Sequence, residues 1–393
     1  MRDVSTSTEA WDALGAEELR ARSSLKWDAS EHPDVIGAWV AEMDFGTAPA
    51  VLDAWQQAAV RFDFGYASEG AVAEMAGACA EWYQSRYGWT VSASDIAPLP
   101  DVIRGLELAI TDFSAPGAPV VVPTPAYMPF LFVPVSLGRE VIEVPMLTDA
   151  DGGFALDLER IDAELAAGAG LVILANPGNP TGKVYRRDEL EALADVVAAR
   201  GARLFSDEIH APLTLFGNRH IPFASVSAAA AEVAITATSA SKAWNLPGLK
   251  CAQLILSADR DREVWQRIGM MVSHGASTPG IRANTAAYRD GGGWLDEVRD
   301  YLEGNYRTFV DELAEALPLA RVAPLQGTYL CWLDLRDYPI EGEVADVLLA
   351  ESGVRVNAGP AFGEGLSGYV RFNIAMPRPV LREAVQRMAR VLA

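Results

Sequence analysis

At 393 residues, half of them hydrophobic, the chain has enough apolar material for two or three packed domains and is not a disordered polymer. A formal net charge of −21, spread along the sequence, excludes a nucleic-acid surface and an anionic membrane as partners. An anionic small molecule would need arginine and lysine gathered at one place.

Residues 1 to about 24 are polar and charged and read as a mobile arm with a short helix near Glu17–Arg20. Next comes an aromatic-rich extended stretch, Trp39–Phe45, whose spacing alone suggests a hydrophobic anchor. Tyr66 sits in a glycine-bounded loop, Phe64–Gly70, and a helix over 71–87 follows. Pro100–Gly105 opens a further helix, because Ile103, Leu106, Ile110 and Phe113 recur at 3, 4 and 3 residues. The N–H groups at such a start attract anions. Asp101, as an N-cap, would compete for them.

From Pro98 onward, strands and helices alternate. Near-continuous apolar runs at 120–122, 141–144, 171–174, 203–206, 233–236 and 252–256 read as strands buried on both faces. That alternation predicts an α/β fold with a mainly parallel sheet between helices. After about Ile281 the pattern changes. A long helix over roughly 294–317, strands at 329–334, 354–356 and 369–374, and helices near 343–352 and at the C-terminus predict a smaller α+β domain. Cys79, Cys251 and Cys331 are odd in number and far apart, and read as core thiols of a reducing compartment. No hydrophobic leader and no apolar run of about 18 residues is visible, so the expected location is the cytoplasm.

Four stretches carry chemistry. Asn176-Pro177-Gly178-Asn179-Pro180-Thr181-Gly182 is a rigid turn after an apolar strand. Asp207 ends the strand at 203–206, where α/β sites are built, although a helix N-cap explains such an Asp equally well. In Thr238–Lys250, Lys242 stands among hydroxyls and small residues. There it is either a lysine with a lowered pKa and a nucleophilic amine, or a strand-end lysine reaching for water. Arg371, inside an apolar strand, is either a clamp for a carboxylate or half of a core salt bridge. Three patterns fail. Gly363-x-Gly365-x-x-Gly368 precedes a strand instead of linking a strand to a helix. Gly178–Lys183 is one residue short of a P-loop. Asp207, Glu208 and His210 lack a second histidine at ligand spacing, so no metal is expected.

From Leu25-Lys26-Trp27-Asp28 nearly to the C-terminus, these stretches, in this order, resemble the fold-type I pyridoxal-phosphate (PLP) enzymes of the class I/II aminotransferase superfamily. The similarity is to the cystathionine β-lyase, or β-C–S lyase, branch related to the maltose regulon modulator protein. The resemblance implies an arm at 1–45 that packs with the small domain. It also implies a large PLP-binding domain at 46–285 with a seven-stranded sheet, and a small α+β domain at 286–393. It implies pyridoxal 5'-phosphate carried on Lys242, with Asp207 at the ring nitrogen, Asn179 and His210 near the phenolic oxygen, and Tyr127 stacked on the ring. The phosphate cup would comprise the backbone of Val102 and Ile103 together with Ser239, Ser241 and Lys250. Tyr66 would reach the phosphate of the neighbouring subunit, which makes the enzyme a homodimer with shared active sites. Arg371, with Trp39 and Asn179, would hold the substrate, Arg371 taking the α-carboxylate. The implied reaction cleaves the Cβ–S bond of L-cystathionine or a related cysteine thioether to a thiol, pyruvate and ammonia. An aminotransferase of the same fold is the runner-up. A regulator acting by protein contact is a third possibility, though no DNA-binding segment is visible.

Overall fold

The computed structural model describes residues 7–28, 30 and 32–392. Its largest element is a seven-stranded sheet in the order Ile96–Leu99, Ala252–Ile255, Ala234–Thr238, Arg203–Asp207, Leu171–Ala175, Val120–Thr124, Val141–Pro145. The last five run parallel, and Ala252–Ile255 runs antiparallel to both its neighbours. Every residue of Val120–Thr124, Arg203–Asp207 and Ala234–Thr238 is buried; the first and last are mostly apolar, and Arg203 is buried by pairing with Asp261 at 2.6 Å. One strand, Ile96–Leu99, gave no apolar-run signal. It contains Pro98, which lacks a ladder N–H, and it lies at the sheet edge where that loss costs nothing.

The C-terminal part builds a four-stranded antiparallel sheet in the order Arg321–Val322, Leu330–Asp334, Tyr369–Asn373, Asn357–Ala358. Two helices, Gly292–Ala316 and Arg378–Leu392, pack together beside it. The second buries Val380, Leu381, Ala384, Val385 and Met388, one stripe at helical spacing. Burying each large aliphatic of such a stripe is worth about 1.5–3 kcal/mol. The helix expected near 343–352 is α-helical only at Val344–Val347. It continues as a π-helix over Leu348–Ser352 and ends at Gly353, whose φ of 69° lies in the left-handed region.

The expected mobile arm is corrected. Helices Ser7–Asp12 and Ala16–Ala21 bury Trp11 and Leu19. The Trp11 ring packs against Phe45 at 5.0 Å and edge-on against Tyr301 at 5.2 Å. Two buried apolar side chains are enough to dock a segment whose average composition is polar. Residues 1–6 of that expectation lie outside the described residues. Farther on, Ile36–Gly37 pairs in parallel with Val354–Arg355, tying the N-terminal segment to the C-terminal part. Trp39–Phe45 forms no strand. It is an irregular path, half-buried over 39–42 and buried over 43–45, whose carbonyls bond to side chains of other elements. Cys79, Cys251 and Cys331 are free and buried. Among the described residues, no helix is long and apolar enough to cross a membrane.

Candidate active site

Parallel strands deliver their C-terminal ends to one side of the sheet, and five of them end at one cavity of about 200 Å³. Asp101 and Val102 follow Leu99, Tyr127 follows Thr124, and Asn179 follows Ala175. Asp207 closes its own strand, and Ser239, Ser241 and Lys242 follow Thr238. The helix Val102–Thr111 comes close because Gly105 lets it approach the sheet, where an added Cβ would lie 3.1 Å from Ala237. The turn at 176–182 needs Gly182, whose φ is 67° and whose missing Cβ would lie 2.7 Å from Leu325.

Lys242 reaches into the cavity and its Nζ donates to the Ala41 carbonyl at 2.9 Å. Burial lowers this amine to about 8, helped by Arg371 and opposed by Glu42 and Asp207. Asp207 is buried, and that burial lifts its carboxyl to about 7 against a hydrogen bond from the Ile209 N–H and the charge of Lys242. His210 lines the same wall, edge-on to Tyr329 at 5.8 Å, and burial drives it down to about 3, so it is neutral. Among the described residues its Nδ1 has no hydrogen-bond partner. Tyr127 lines the cavity, and burial raises its phenol above the ordinary value.

At the other end stand Val102, Ile103, Ser239, Ser241 and Lys250. Asp101 does not compete for every N–H of the helix start. Its Oδ1 accepts from Arg104 N at 2.9 Å, and its Oδ2 pairs with Lys250 at 3.1 Å. Lys250 is thereby held over the helix start, with its own backbone left-handed at φ 48°. The Ser239 hydroxyl is already engaged: it donates to the Cys251 carbonyl at 2.7 Å and accepts from Ser241 N at 3.0 Å.

Arg371 is buried behind Asn179. It donates to Asn179 Oδ1 at 3.0 Å and, through its other terminal nitrogen, to the Trp39 carbonyl and Asn357 Oδ1, both at 2.6 Å. Among the described residues no carboxylate pairs with it, so the core salt bridge that its sequence setting allowed is absent. Burial lowers it to about 10, still charged at neutral pH, and its Nε has no partner. A buried cation with an unfilled donor is a site for an anion. Trp39 enters through its carbonyl, while its indole lies under Arg355 at 3.9 Å. Tyr66 does not line the cavity of its own chain. It is 90% exposed and stacks on His274 at 5.6 Å.

Three participants gave no sequence signal: Tyr329, which donates to the Ala41 carbonyl at 2.9 Å, Asn357, and the Ala41 carbonyl itself. Tyr329 and Asn357 are lone polar groups outside any motif, and the Ala41 carbonyl is a backbone group within Trp39–Phe45, which carries no residue-specific signal.

The family profile for aminotransferase class I and II matches residues 33–388. A cystathionine beta-lyase of Corynebacterium glutamicum is 39% identical over 376 residues, covering 96% of this chain and 98% of that protein. The cystathionine beta-lyase PatB of Bacillus subtilis is 32% identical, covering 96% and 98%. The solved structure of a PLP-bound C–S lyase from Staphylococcus hominis superposes with a TM-score of 0.90 at 28% identity, covering 98% of each chain.

Proposed function

The chain belongs to the aminotransferase class I and II family, and on that footing we propose that it is a pyridoxal 5'-phosphate enzyme that cleaves the Cβ–S bond of L-cystathionine or a related cysteine thioether. The products are a thiol, pyruvate and ammonia. The observation that carries this reading is the trio of Lys242, Asp207 and Arg371: a lysine lowered to about 8, an acid at a strand end, and a buried guanidinium that no carboxylate among the described residues pairs with. The full-length likeness to cystathionine beta-lyases supports cleavage over amino transfer.

The residues fit the cofactor. His210 Nδ1 and Arg371 Nε are buried polar atoms without partners, as expected beside groups supplied from outside the chain. Lys242 would carry the cofactor, Asp207 would face its ring nitrogen, and Tyr127 would cover the ring. Asn179 and His210 would flank its phenolic oxygen. Lys250, Ser241 and the helix start at Val102 and Ile103 would hold its phosphate, with Ser239, whose hydroxyl already donates to the Cys251 carbonyl, positioning Ser241. When bound, pyridoxal phosphate supplies a carbonyl that takes up the substrate amine and a ring that draws electrons from Cα. Arg371 and Asn179 fix the substrate carboxylate, which aims the Cα–H bond. Lys242 Nζ, neutral for a useful fraction of time at a pKa of about 8, removes that proton. Asp207, ionised opposite a cation, would keep the ring nitrogen protonated.

Purified protein incubated with cystathionine should yield pyruvate, free thiol and ammonia with no keto acid present. If no cysteine thioether gives thiol and pyruvate while amino transfer to an added keto acid proceeds, the lyase reading fails and the aminotransferase stands. Arg371→Ala should lower kcat/KM by roughly 10–100-fold, the worth of hydrogen bonds to a charged group, with a smaller effect on kcat. Steady-state kinetics over a series of substrate concentrations separates the two.

The working unit in this proposal is a homodimer with shared sites. Tyr66, Phe62, Phe64, Met270 and Met271 are exposed large apolar residues, and a soluble monomer rarely leaves so many uncovered. Tyr66 would enter the partner's cavity near the phosphate. Mixing two inactive variants, Tyr66→Phe and Lys242→Ala, should restore part of the activity as subunits exchange, because one hybrid site has both native groups. A monomer in sedimentation at working concentration would remove the basis for this. Within each subunit, the arm spans 1–45, the large domain 46–285 and the small domain 286–393.

A further inference from the structure

Four successive carbonyls, from Trp39 to Glu42, take hydrogen bonds from side chains of other elements, Lys242 of the cavity among them. Trp39 O accepts from Arg371. Val40 O and Glu42 O accept from Asn373 Nδ2 at 2.6 and 2.7 Å. Ala41 O accepts from both Lys242 and Tyr329 at 2.9 Å. The row matters through its placement, since no side chain of it makes these bonds.

A buried ion pair fixes that placement. Lys26 is 1% exposed, and its Nζ donates to Asp44 Oδ2 at 3.0 Å, to the Glu42 carbonyl at 3.2 Å and to the Ala375 carbonyl at 3.0 Å. All three ammonium hydrogens are thereby used. Trp27 Nε1 donates to the other Asp44 oxygen at 2.7 Å. Trp39 Nε1 returns to the Lys26 carbonyl at 3.2 Å, and that carbonyl lies where a Cβ on Gly37 would stand, 1.8 Å away. Lys26 thus grips one end of the row through its side chain and the other through its backbone. A buried ion pair contributes little net stability compared with apolar residues of similar volume, because desolvation offsets the attraction. What it does supply is direction: several bonds of fixed geometry that hold an irregular segment in one path.

We propose that the Lys26–Asp44 pair is a positioning device for Lys242, pinning residues 39–44 so that the Ala41 carbonyl stands where the free amine is caught and oriented. The proposal rests on the reading of Lys242 as the reactive lysine. A carbonyl that accepts from an ammonium favours the charged form, so this bond opposes burial, which lowers the amine. The other groups facing Lys242 are Asp207 and Glu42, which favour its charge, and Arg371 and Lys250, which oppose it. His210 and Tyr329 are neutral there. Moving the row away should therefore lower the Lys242 pKa further.

The test uses the full chain freed of cofactor, which keeps it independent of turnover. A single substitution would strand a buried charge, so the variant is the double Lys26→Met with Asp44→Asn, in which Asn can still accept from Trp27. Acetylation of Lys242 is followed against pH by peptide mass spectrometry. The midpoint should fall by roughly one pH unit or more in the double variant, the value of one hydrogen bond to a charged group. A folded double variant with the wild-type midpoint would overturn the proposal. If the double variant does not fold, Trp27→Phe, which removes one donor to Asp44, decides in its place: a lower midpoint supports the device and an unchanged one sinks it. A wild-type protein that cleaves no thioether, with the shift present, would defeat the lyase reading and leave this one standing.

Discussion

Lys242→Ala is expected to reduce thioether cleavage by at least about 10³-fold, within the range for losing a positioned general base, while the chain still folds and binds pyridoxal phosphate. The fold should hold because Lys242 Nζ has one protein partner, the Ala41 carbonyl, and that carbonyl keeps its second donor in Tyr329. Nothing buried is orphaned by the change. Binding should persist through the phosphate end and Asp207. Lys250 is the rival, since it lines the same cavity. The two lysines differ in environment. Lys250 is largely exposed and paired to Asp101, whereas Lys242 is buried, and that burial brings it down to about 8. Borohydride treatment of the native protein followed by peptide mapping should therefore place the cofactor on Lys242. A label on Lys250, or an alanine variant within tenfold of wild type, would reverse the assignment. Small primary amines added to Lys242→Ala should restore part of the rate, since the missing group is a base and not a scaffold.

Much of this site was legible because it lies where apolar runs stop. Asp207 closes a strand that is buried throughout, and Asn179 and Lys242 lie in the turns just beyond two others that are buried along all or nearly all of their length, so polar residues there stand out. The parts that stayed hidden are of another kind. Tyr329, Asn357 and Asn373 are single polar residues of the small sheet and its margins, and nothing in their neighbours marks them. The carbonyls of residues 39–42 are backbone groups, which carry no residue-specific signal at all. Asp101 was visible as an oddity at the helix start, but only the geometry separates its two oxygens, one capping Arg104 N and one holding Lys250. The arm was misread because composition averages over a segment. One tryptophan, Trp11, finds Phe45 and Tyr301 and fixes the helix around it.

Asp207→Ala is expected to lower turnover by roughly 10–10³-fold, the equivalent of a ring-nitrogen pKa lowered by about 1–3 units, without loss of the fold. The rival reading, in which Asp207 only caps the turn by accepting from Ile209 N, predicts near-normal turnover. A pH experiment on the cofactor-free chain separates the two further. Burial lifts the Asp207 carboxyl from its ordinary 3.8 to about 7. Between those values the folded chain holds more protons at this site than the unfolded chain, so this group costs stability progressively as pH rises from about 4 to about 7. His210 acts in the opposite sense. Burial lowers it from 6.5 to about 3, so it costs stability as pH falls through that window. The two slopes overlap in the wild type and partly cancel. They separate in a comparison with Asp207→Asn, which keeps His210 and can still accept from Ile209 N but does not titrate. The thermal midpoint of Asp207→Asn relative to wild type should therefore climb from pH 4 to pH 7 and then level off. Saturating both proteins with pyridoxal phosphate should shrink that advantage, because a protonated ring nitrogen gives the wild-type carboxylate the partner it lacks. An advantage that is flat with pH would mean that Asp207 is ionised throughout and solvated. An advantage untouched by the cofactor would leave the carboxylate with no role at the ring.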